Sequence, residues 1–487
     1  MSDAGPLLQW SELVYDLQRL LRDKGVTTPL YVVGGAVRDA YKRAAITDVD
    51  IAVDGDAIGI AKQVADWLDA DIYIMDRERG VARVFLKRES GAFLLDFARF
   101  RGATLHDDLI KRDFTVNTLA ADLLGDLSHL IDLLGGERDL REGVLRRCSP
   151  NAIKDDPVRA LRAVRQSTQL GLKMHPATLS DVRLFAPGLS QISPERIRDE
   201  FFKLLALDNA ARGLRVLQHL GILQRILPDQ FGQTPAEGPP QQQLDAWSRS
   251  LRITERMCAI LTAVSERRTD NNAAAFDLGM LVIQMDRFRG QLQERLSRSY
   301  GNGRRHRELL VLAAFLSNLS EMDSATDGEQ LSLLAKAVSR SLRLTLEEGR
   351  HLSLAMSKYQ VILDESEWSP LARHRFWFGL DEAGIDAIFL AAAVYLGRQG
   401  EGIQQADWLA FVDIATELLD TWFRQYEDVV SPPLLLDGED IMKTLGIKRG
   451  PVVGRLLSTL REAQVLGTVR SVDEARAFVA RQQVESG

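Results

Sequence analysis

The 487-residue sequence predicts an α+β multidomain protein: a mixed-sheet head at the N-terminus, followed by a mostly α-helical neck, body and tail. Three observations lead there. Short β-rich runs cluster in the first 140 residues. Beyond Pro157 the strand signal nearly vanishes and a 3.6-residue periodicity takes over. At about 150 residues per domain, the length asks for three or four domains.

In the head, a helical pattern over Leu7–Lys24 ends at Gly25, the residue a helix C-terminus favours. Strands are predicted at Leu30–Val33, Val49–Val53, Asp71–Met75, Ala82–Leu86 and Phe93–Phe97, with an amphipathic helix over Ala57–Trp67 between them. Helices follow at Val158–Leu170, Glu195–Leu207 and Ala210–Leu220. The stretch 230–243, rich in Pro, Gly and Gln, reads as a linker, with weaker breaks at 321–329 and 430–440. The expected divisions are a head over 1–140, a neck over 141–229, a body over 245–428 and a tail over 433–487.

Composition narrows the function classes. With 45% hydrophobic and 26% charged residues, the chain is neither disordered nor collagenous. Cys148 and Cys258 are too few for a disulfide framework or a structural zinc site, so a reducing cytoplasm is expected. Residues 1–10 lack the charge and apolar run of a signal peptide, and apolar runs such as Ile388–Leu396 are too short to span a membrane. Nothing in the sequence bears on oligomeric state. The net charge of −7 argues against a surface that coats nucleic acid as a whole. Of the 61 basic residues only 12 are Lys, and the remaining 49 Arg suit phosphate and base-edge contacts as well as an Arg-rich genome.

Chemistry concentrates in the head. The run Tyr31-Val32-Val33 leads into Gly34-Gly35-Ala36-Val37-Arg38, where two glycines admit a ligand to the backbone and Arg38 adds charge. Asp48 and Asp50 open the next strand two residues apart, on one face, and two carboxylates so placed invite a hard cation such as Mg²⁺. Asp96 lies inside the apolar run Phe93–Phe97 and must be partnered: either it joins Asp48 and Asp50 in a two-metal carboxylate set, or it pairs with Arg99 or Arg101.

With these residues, the run GGAVRDAYKRAAITDVDIAV resembles the first motif of class II tRNA nucleotidyltransferases and bacterial poly(A) polymerases. The resemblance continues through Lys111-Arg112-Asp113-Phe114-Thr115-Val116-Asn117, Asp132-Leu133-Leu134-Gly135-Gly136, Asp155-Asp156-Pro157-Val158-Arg159 with Arg162 and Arg165, and Ser193-Pro194-Glu195-Arg196-Ile197. Asp155 stands where the family usually has Glu. The resemblance implies a polymerase-β-like nucleotidyltransferase head that transfers CMP from CTP, with ATP as the second candidate, to a tRNA 3′ end. Asp48 and Asp50 would hold Mg²⁺ with Asp96 assisting, and Gly34, Gly35 and Arg38 would serve the triphosphate. Arg112, Asp113 and Asn117 would meet the ribose, and Asp156, Arg159 and Arg162 would pair with the base. Arg donors and an Asp acceptor at i, i+3 and i+6 suit the last role chemically; a surface ion-pair ladder is the alternative.

One departure refines the expectation. Enzymes of the family that add all of C, C and A carry a flexible loop before the Arg112 motif, whereas here Asp96–Gly102 runs almost directly into Leu105–Leu109. This is similar to CC-adding members. A full CCA-adding enzyme, a poly(A) polymerase and a catalytically silent RNA-binding protein stand as alternatives. His106-Asp107 forms an isolated HD pair, with His351 and His374 read as ordinary helix residues. Eight basic residues against three acidic ones between Arg141 and Lys173 are either an RNA-attracting patch or a solvated face, and the basic stretch 301–307 is a candidate RNA contact. The tail resembles the family's C-terminal helical domain, which implies a grip on tRNA; its glycines also read as helix punctuation.

Overall fold

The computed structural model describes residues 8–46, 48–88, 91–227, 240–265, 276–318, 328–365, 367–398 and 404–485. Most of the linker-like stretch 230–243 and residues 321–327 of the second break lie outside these. The chain forms two compact units, one of residues 1–200 with 219–222 and one of 201–218 with 223–487.

The first unit opens with α1 (Glu12–Asp23), β1 (Leu30–Val33), α2 (Gly35–Lys42), β2 (Asp48–Val53), α3 (Ala57–Leu68), β3 (Asp71–Asp76), β4 (Val81–Arg88) and β5 (Gly91–Arg99). It continues through α4 (Leu105–Leu109), β6 (Ala120–Asp122), α5 (Gly136–Glu142), β7 (Val144–Leu145), α6 (Ala152–Asp155), α7 (Val158–Leu170), β8 (Lys173–Met174), α8 (Pro176–Phe185) and the residues of α9 (Pro194–Leu205) up to 200. Helix α1 starts later than the periodicity suggests, because Ser11 has extended dihedrals and stands outside it.

Six strands form a mixed sheet in the order β3-β4-β5-β2-β1-β6. β2 and β5 run parallel and the other neighbours antiparallel. Strand alternation sorts the side chains. Val49, Ile51 and Val53 of β2, Ala82, Val84 and Leu86 of β4, and Leu95 and Phe97 of β5 join one core with α1, α2 and α3. Asp48, Asp50, Arg83 and Asp96 are the intervening residues, so they share the opposite face. The apolar β2 strand therefore fixes which way its aspartates point.

Among the described residues, the second unit is helical apart from a short pairing of Ser299–Tyr300 with Arg304–Arg305. Helices at 383–398, 346–364 and 405–424 supply many of its buried side chains, including Phe389, Tyr359 and Trp408. Helices at Gly438–Leu445, Pro451–Val465 and Val472–Glu485 close on a separate small core around Ile441, Leu460 and Val479. Here the glycines punctuate: Gly446 has φ +63° after one helix and Gly450 precedes Pro451 at the start of the next. No helix among the described residues is long and apolar enough to cross a membrane.

Candidate active site

The site is built around the end of β1. Its last residue, Val33, pairs with Asp50, and the chain then turns at Gly34 with φ +78° into α2. A Cβ on Gly34 would lie 2.9 Å from Asp50 Oδ2 and 3.6 Å from Arg112 Nη1, so glycine is needed for both dihedral and space. In the parallel pair of β2 with β5, Asp50 faces Asp96, and in the β4–β5 pair Asp96 faces Arg83. Arg83, Asp96 and Asp50 thus form one cross-strand row, with Asp48 two residues before Asp50 on the same face.

Asp96 is ion-paired, but with Arg83 rather than with Arg99 or Arg101. Arg83 donates from Nε to Oδ1 at 2.7 Å and from Nη2 to Oδ2 at 2.6 Å. Arg99 instead donates to the carbonyl of Glu78, and Arg101 to that of Lys111. The correct partner lies on the neighbouring strand, 13 residues away in sequence. Burial raises the Asp50 carboxyl above its ordinary pKa, and the carboxylates of Asp96 and Asp48 add to the rise against the pull of Arg112 and Arg162. An aspartate pair on one face, one member of it costly to ionise, is a donor set that fits a hard divalent cation.

Beside this row, a buried hydrogen-bonded chain links the glycine turn to α7. Arg38 Nη1 donates to Asn117 Oδ1 at 2.8 Å while Arg38 also pairs with Asp39. Asn117 Nδ2 donates to Asp113 Oδ1 at 3.0 Å and to Gln166 Oε1 at 2.9 Å. Arg162 Nε approaches Asp113 Oδ2 to 2.8 Å as an ion pair without hydrogen-bond alignment. Burial pushes the Asp113 carboxyl up, but Arg162, the Asn117 amide and the Phe114 N–H outweigh it and hold the group below its ordinary pKa.

Arg112 is fixed by Asp108, which accepts from its Nε at 3.1 Å and its Nη2 at 3.0 Å. Asp108 is only 2% exposed, and the sequence alone did not single it out, because nothing local distinguishes it from the adjacent Asp107 that caps α4. Gln166 was equally hidden: it is one turn beyond Arg162, a position indistinguishable from helix surface without the fold.

Arg159 and Asp156 stand at the start of α7. Arg159 donates to the carbonyls of Ala152 at 2.9 Å, Lys111 at 2.9 Å and Arg112 at 3.3 Å. Asp156 Oδ2 accepts from Arg196 at 2.7 Å, while its buried Oδ1 accepts nothing among the described residues. That buried acceptor stands beside the guanidinium groups of Arg159 and Arg196. Gly136 closes the arrangement from behind, since a Cβ there would lie 2.2 Å from the Thr115 carbonyl oxygen. Asp132 accepts from the N–H groups of Gly136 and Glu137 and so fixes the start of α5.

Most of the basic excess between Arg141 and Lys173 is used internally: Arg146 pairs with Asp139, Arg147 with Asp181, Arg162 with Asp113 and Arg165 with Glu200. The basic stretch 301–307 behaves likewise, with Arg304 on Glu348, Arg305 on Glu308 and Arg307 on Asp208. His351 is more than an ordinary helix residue. Tyr300 Oη lies 2.9 Å from Nδ1 of both His306 and His351, and Asp386 stands within metal-ligand reach of the two rings. Arg295, however, already occupies both Asp386 oxygens.

Known proteins match this architecture. Residues 30–146 match the family described as "Poly A polymerase head domain", and residues 171–232 match "Probable RNA and SrmB- binding site of polymerase A". A CC-adding tRNA nucleotidyltransferase of Geobacter sulfurreducens is 31% identical over 454 residues, 93% of this chain and 92% of that protein. The chain belongs to the tRNA nucleotidyltransferase and poly(A) polymerase family. As a member of it, the protein is an enzyme of the nucleotidyltransferase class. An A-adding tRNA nucleotidyltransferase of Deinococcus radiodurans is also 31% identical, over 92% of this chain and 94% of its own. Among solved structures, the apo form of a CCA-adding enzyme shares the fold with a TM-score of 0.61 at 21% identity, covering 97% of this chain and 95% of that one. The Thermotoga maritima CCA-adding enzyme complexed with tRNA-CCA does so with a TM-score of 0.54 at 22% identity, covering 98% and 97%. Family membership accounts for a carboxylate set suited to a divalent metal; it leaves the choice of nucleotide to the residues of this chain.

Proposed function

We propose that this nucleotidyltransferase extends the 3′ end of tRNA by adding CMP from CTP, as a CC-adding enzyme of the cytoplasm. The 3′-hydroxyl of the RNA attacks the α-phosphate of CTP, the new phosphodiester bond forms, and pyrophosphate leaves. The observation that carries this reading is the buried chain of Arg38, Asn117, Asp113 and Arg162, which links the glycine turn beside the carboxylate row to α7.

In this reading Asp48 and Asp50, with Asp96 beside them, hold Mg²⁺, which when bound supplies electrostatic stabilisation of the triphosphate and of the attacking oxygen. The open N–H groups after Gly34 receive phosphate oxygens, with the buried Arg38 cation behind them. Arg112, oriented by Asp108, meets the ribose together with Asp113 and Asn117. Asp156 Oδ1 accepts from the exocyclic amine of cytosine, and Arg159 and Arg162 supply donors to its acceptors.

Specificity for CTP rests on the short connection between β5 and α4, residues 100–104. Arg101 donates to the Lys111 carbonyl that Arg159 also holds, and the Arg101 N–H donates to Asp108 Oδ1 at 3.2 Å. The connection is thereby tied to the same carbonyl as the base-reading arginine, which supports a template held in one setting. The experiment is incubation with tRNA ending before the added residues, after one C and after two, with CTP or ATP. Extension by C alone, stopping after two, is the expected result. Addition of A to tRNA ending in CC overturns the CC-adding reading in favour of A- or CCA-addition, and no extension by either nucleotide overturns the enzymatic reading.

A further inference from the structure

The Asn117 amide can be accounted for completely. Its two N–H bonds are both engaged, one by Asp113 Oδ1 and one by Gln166 Oε1, and its oxygen already accepts from Arg38. Asn117 and Gln166 are 5% and 3% exposed, so water does not compete for these bonds. An amide has two donors and one acceptor oxygen with two lone pairs. What remains to Asn117 is one lone pair, which can accept a hydrogen bond and cannot donate one.

We propose that Gln166 is a positioning residue for sugar recognition: its Oε1 holds the Asn117 amide so that the remaining lone pair meets a hydroxyl of the incoming nucleotide's ribose. The proposal rests on the reading above in which Asn117 meets the ribose. Asp113 and Arg38 fix two corners of the amide, and Gln166 fixes the third. Gln166 lies four residues beyond Arg162 on α7, so the helix that carries the base-reading residues also sets the angle of the sugar-reading one. Without the Gln166 acceptor, one Asn117 N–H is left unpaired in a buried place and the amide tilts away to find another partner.

The test compares CTP with 2′-deoxy-CTP and 3′-deoxy-CTP as single-addition substrates, for the full chain and three variants. Gln166→Met keeps length, volume and helix propensity but removes the acceptor. Gln166→Glu keeps an acceptor at the same reach. Asn117→Ala removes the amide itself. Expected are a rise in KM for CTP in Gln166→Met with kcat changed much less, a fall of about tenfold (~1.4 kcal/mol) in its preference for CTP over one of the deoxy analogues, and recovery of most of that preference in Gln166→Glu. Asn117→Ala should lose at least as much. If Asn117→Ala loses preference and Gln166→Met does not, the proposal is overturned while the ribose reading stands. If Asn117→Ala leaves the preference intact, the ribose reading fails and takes the proposal with it. Should Gln166→Met not fold, Gln166→Leu gives the same comparison. Equal loss of kcat in Gln166→Met and Gln166→Glu, with preference unchanged, assigns Gln166 a packing role only and overturns the proposal.

Discussion

Arg83 holds both carboxylate oxygens of Asp96, at 2.7 and 2.6 Å, within the cross-strand row that carries Asp50. Asp96 therefore has a cation supplied by the protein, whereas burial keeps Asp50 above its ordinary pKa. Replacing Arg83 by Met removes that cation from the row. Both side chains are partly exposed, so the loss of stability is modest, about 1–2 kcal/mol. The freed negative charge should lower the Mg²⁺ concentration needed for half-maximal CMP incorporation. An unchanged Mg²⁺ midpoint would show that Arg83 has no part in tuning the row.

Asp50 carries a cost in the metal-free protein. Its folded pKa lies above the ordinary 3.8, so its contribution to stability is present at low pH and is lost as pH rises through the folded value. At neutral pH the ionised group therefore destabilises the fold. Asp50→Asn should raise Tm in metal-free buffer by a few degrees, about 2–4 °C for each ~1 kcal/mol recovered. Mg²⁺ should raise Tm in the parent chain and not in the variant. Activity should fall by roughly 10³ or more, the loss of several kcal/mol of electrostatic stabilisation. Calorimetry with and without Mg²⁺ checks both.

Gly34→Ala tests the turn after β1. The φ of +78° costs a side chain about 1–2 kcal/mol, and a Cβ 2.9 Å from Asp50 Oδ2 displaces that carboxylate. Single-addition rates should fall about 10²-fold, as expected for misplacement on the ångström scale. Circular dichroism should report an intact fold.

Asp113 has the opposite sign to Asp50. Its folded pKa lies below the ordinary value, so its contribution is present above 3.8 and is lost as pH falls through the folded value. Asp113→Asn should cost about 1–3 kcal/mol at pH 7. Urea unfolding at descending pH should show the gap between variant and parent closing only below about 3.8.

Arg159→Lys tests the tie between α7 and the Arg112 segment. An ammonium cannot span the carbonyls of Lys111, Arg112 and Ala152 as the planar guanidinium does. KM for CTP should rise about tenfold, equivalent to ~1.4 kcal/mol, and the preference for CTP over ATP should shrink. Steady-state kinetics with both nucleotides measures each.

Much of the head was legible because its signals are local. Strand alternation sets Asp48 and Asp50 on the face opposite Val49, Ile51 and Val53, and the apolar periodicity of Val158–Leu170 matches α7 from end to end. Strand β6 was not foreseen: Ala120–Asp122 is three residues long, and its strand character comes from pairing with β1.

What the sequence determined by itself was the set of charged and glycine residues, the strand and helix periods that orient them, and the family they belong to. Tertiary structure decided which of them meet. Arg83 rather than Arg99 or Arg101 reaches Asp96, because antiparallel pairing of β4 with β5 brings it into register. Asp108 rather than Asp107 holds Arg112, and Gln166 completes the Asn117 amide across 49 residues. The physical reason is the same in each case. A side chain's period is set by its own backbone, but the partner that satisfies a buried charge or amide is set by register and packing between segments distant in sequence.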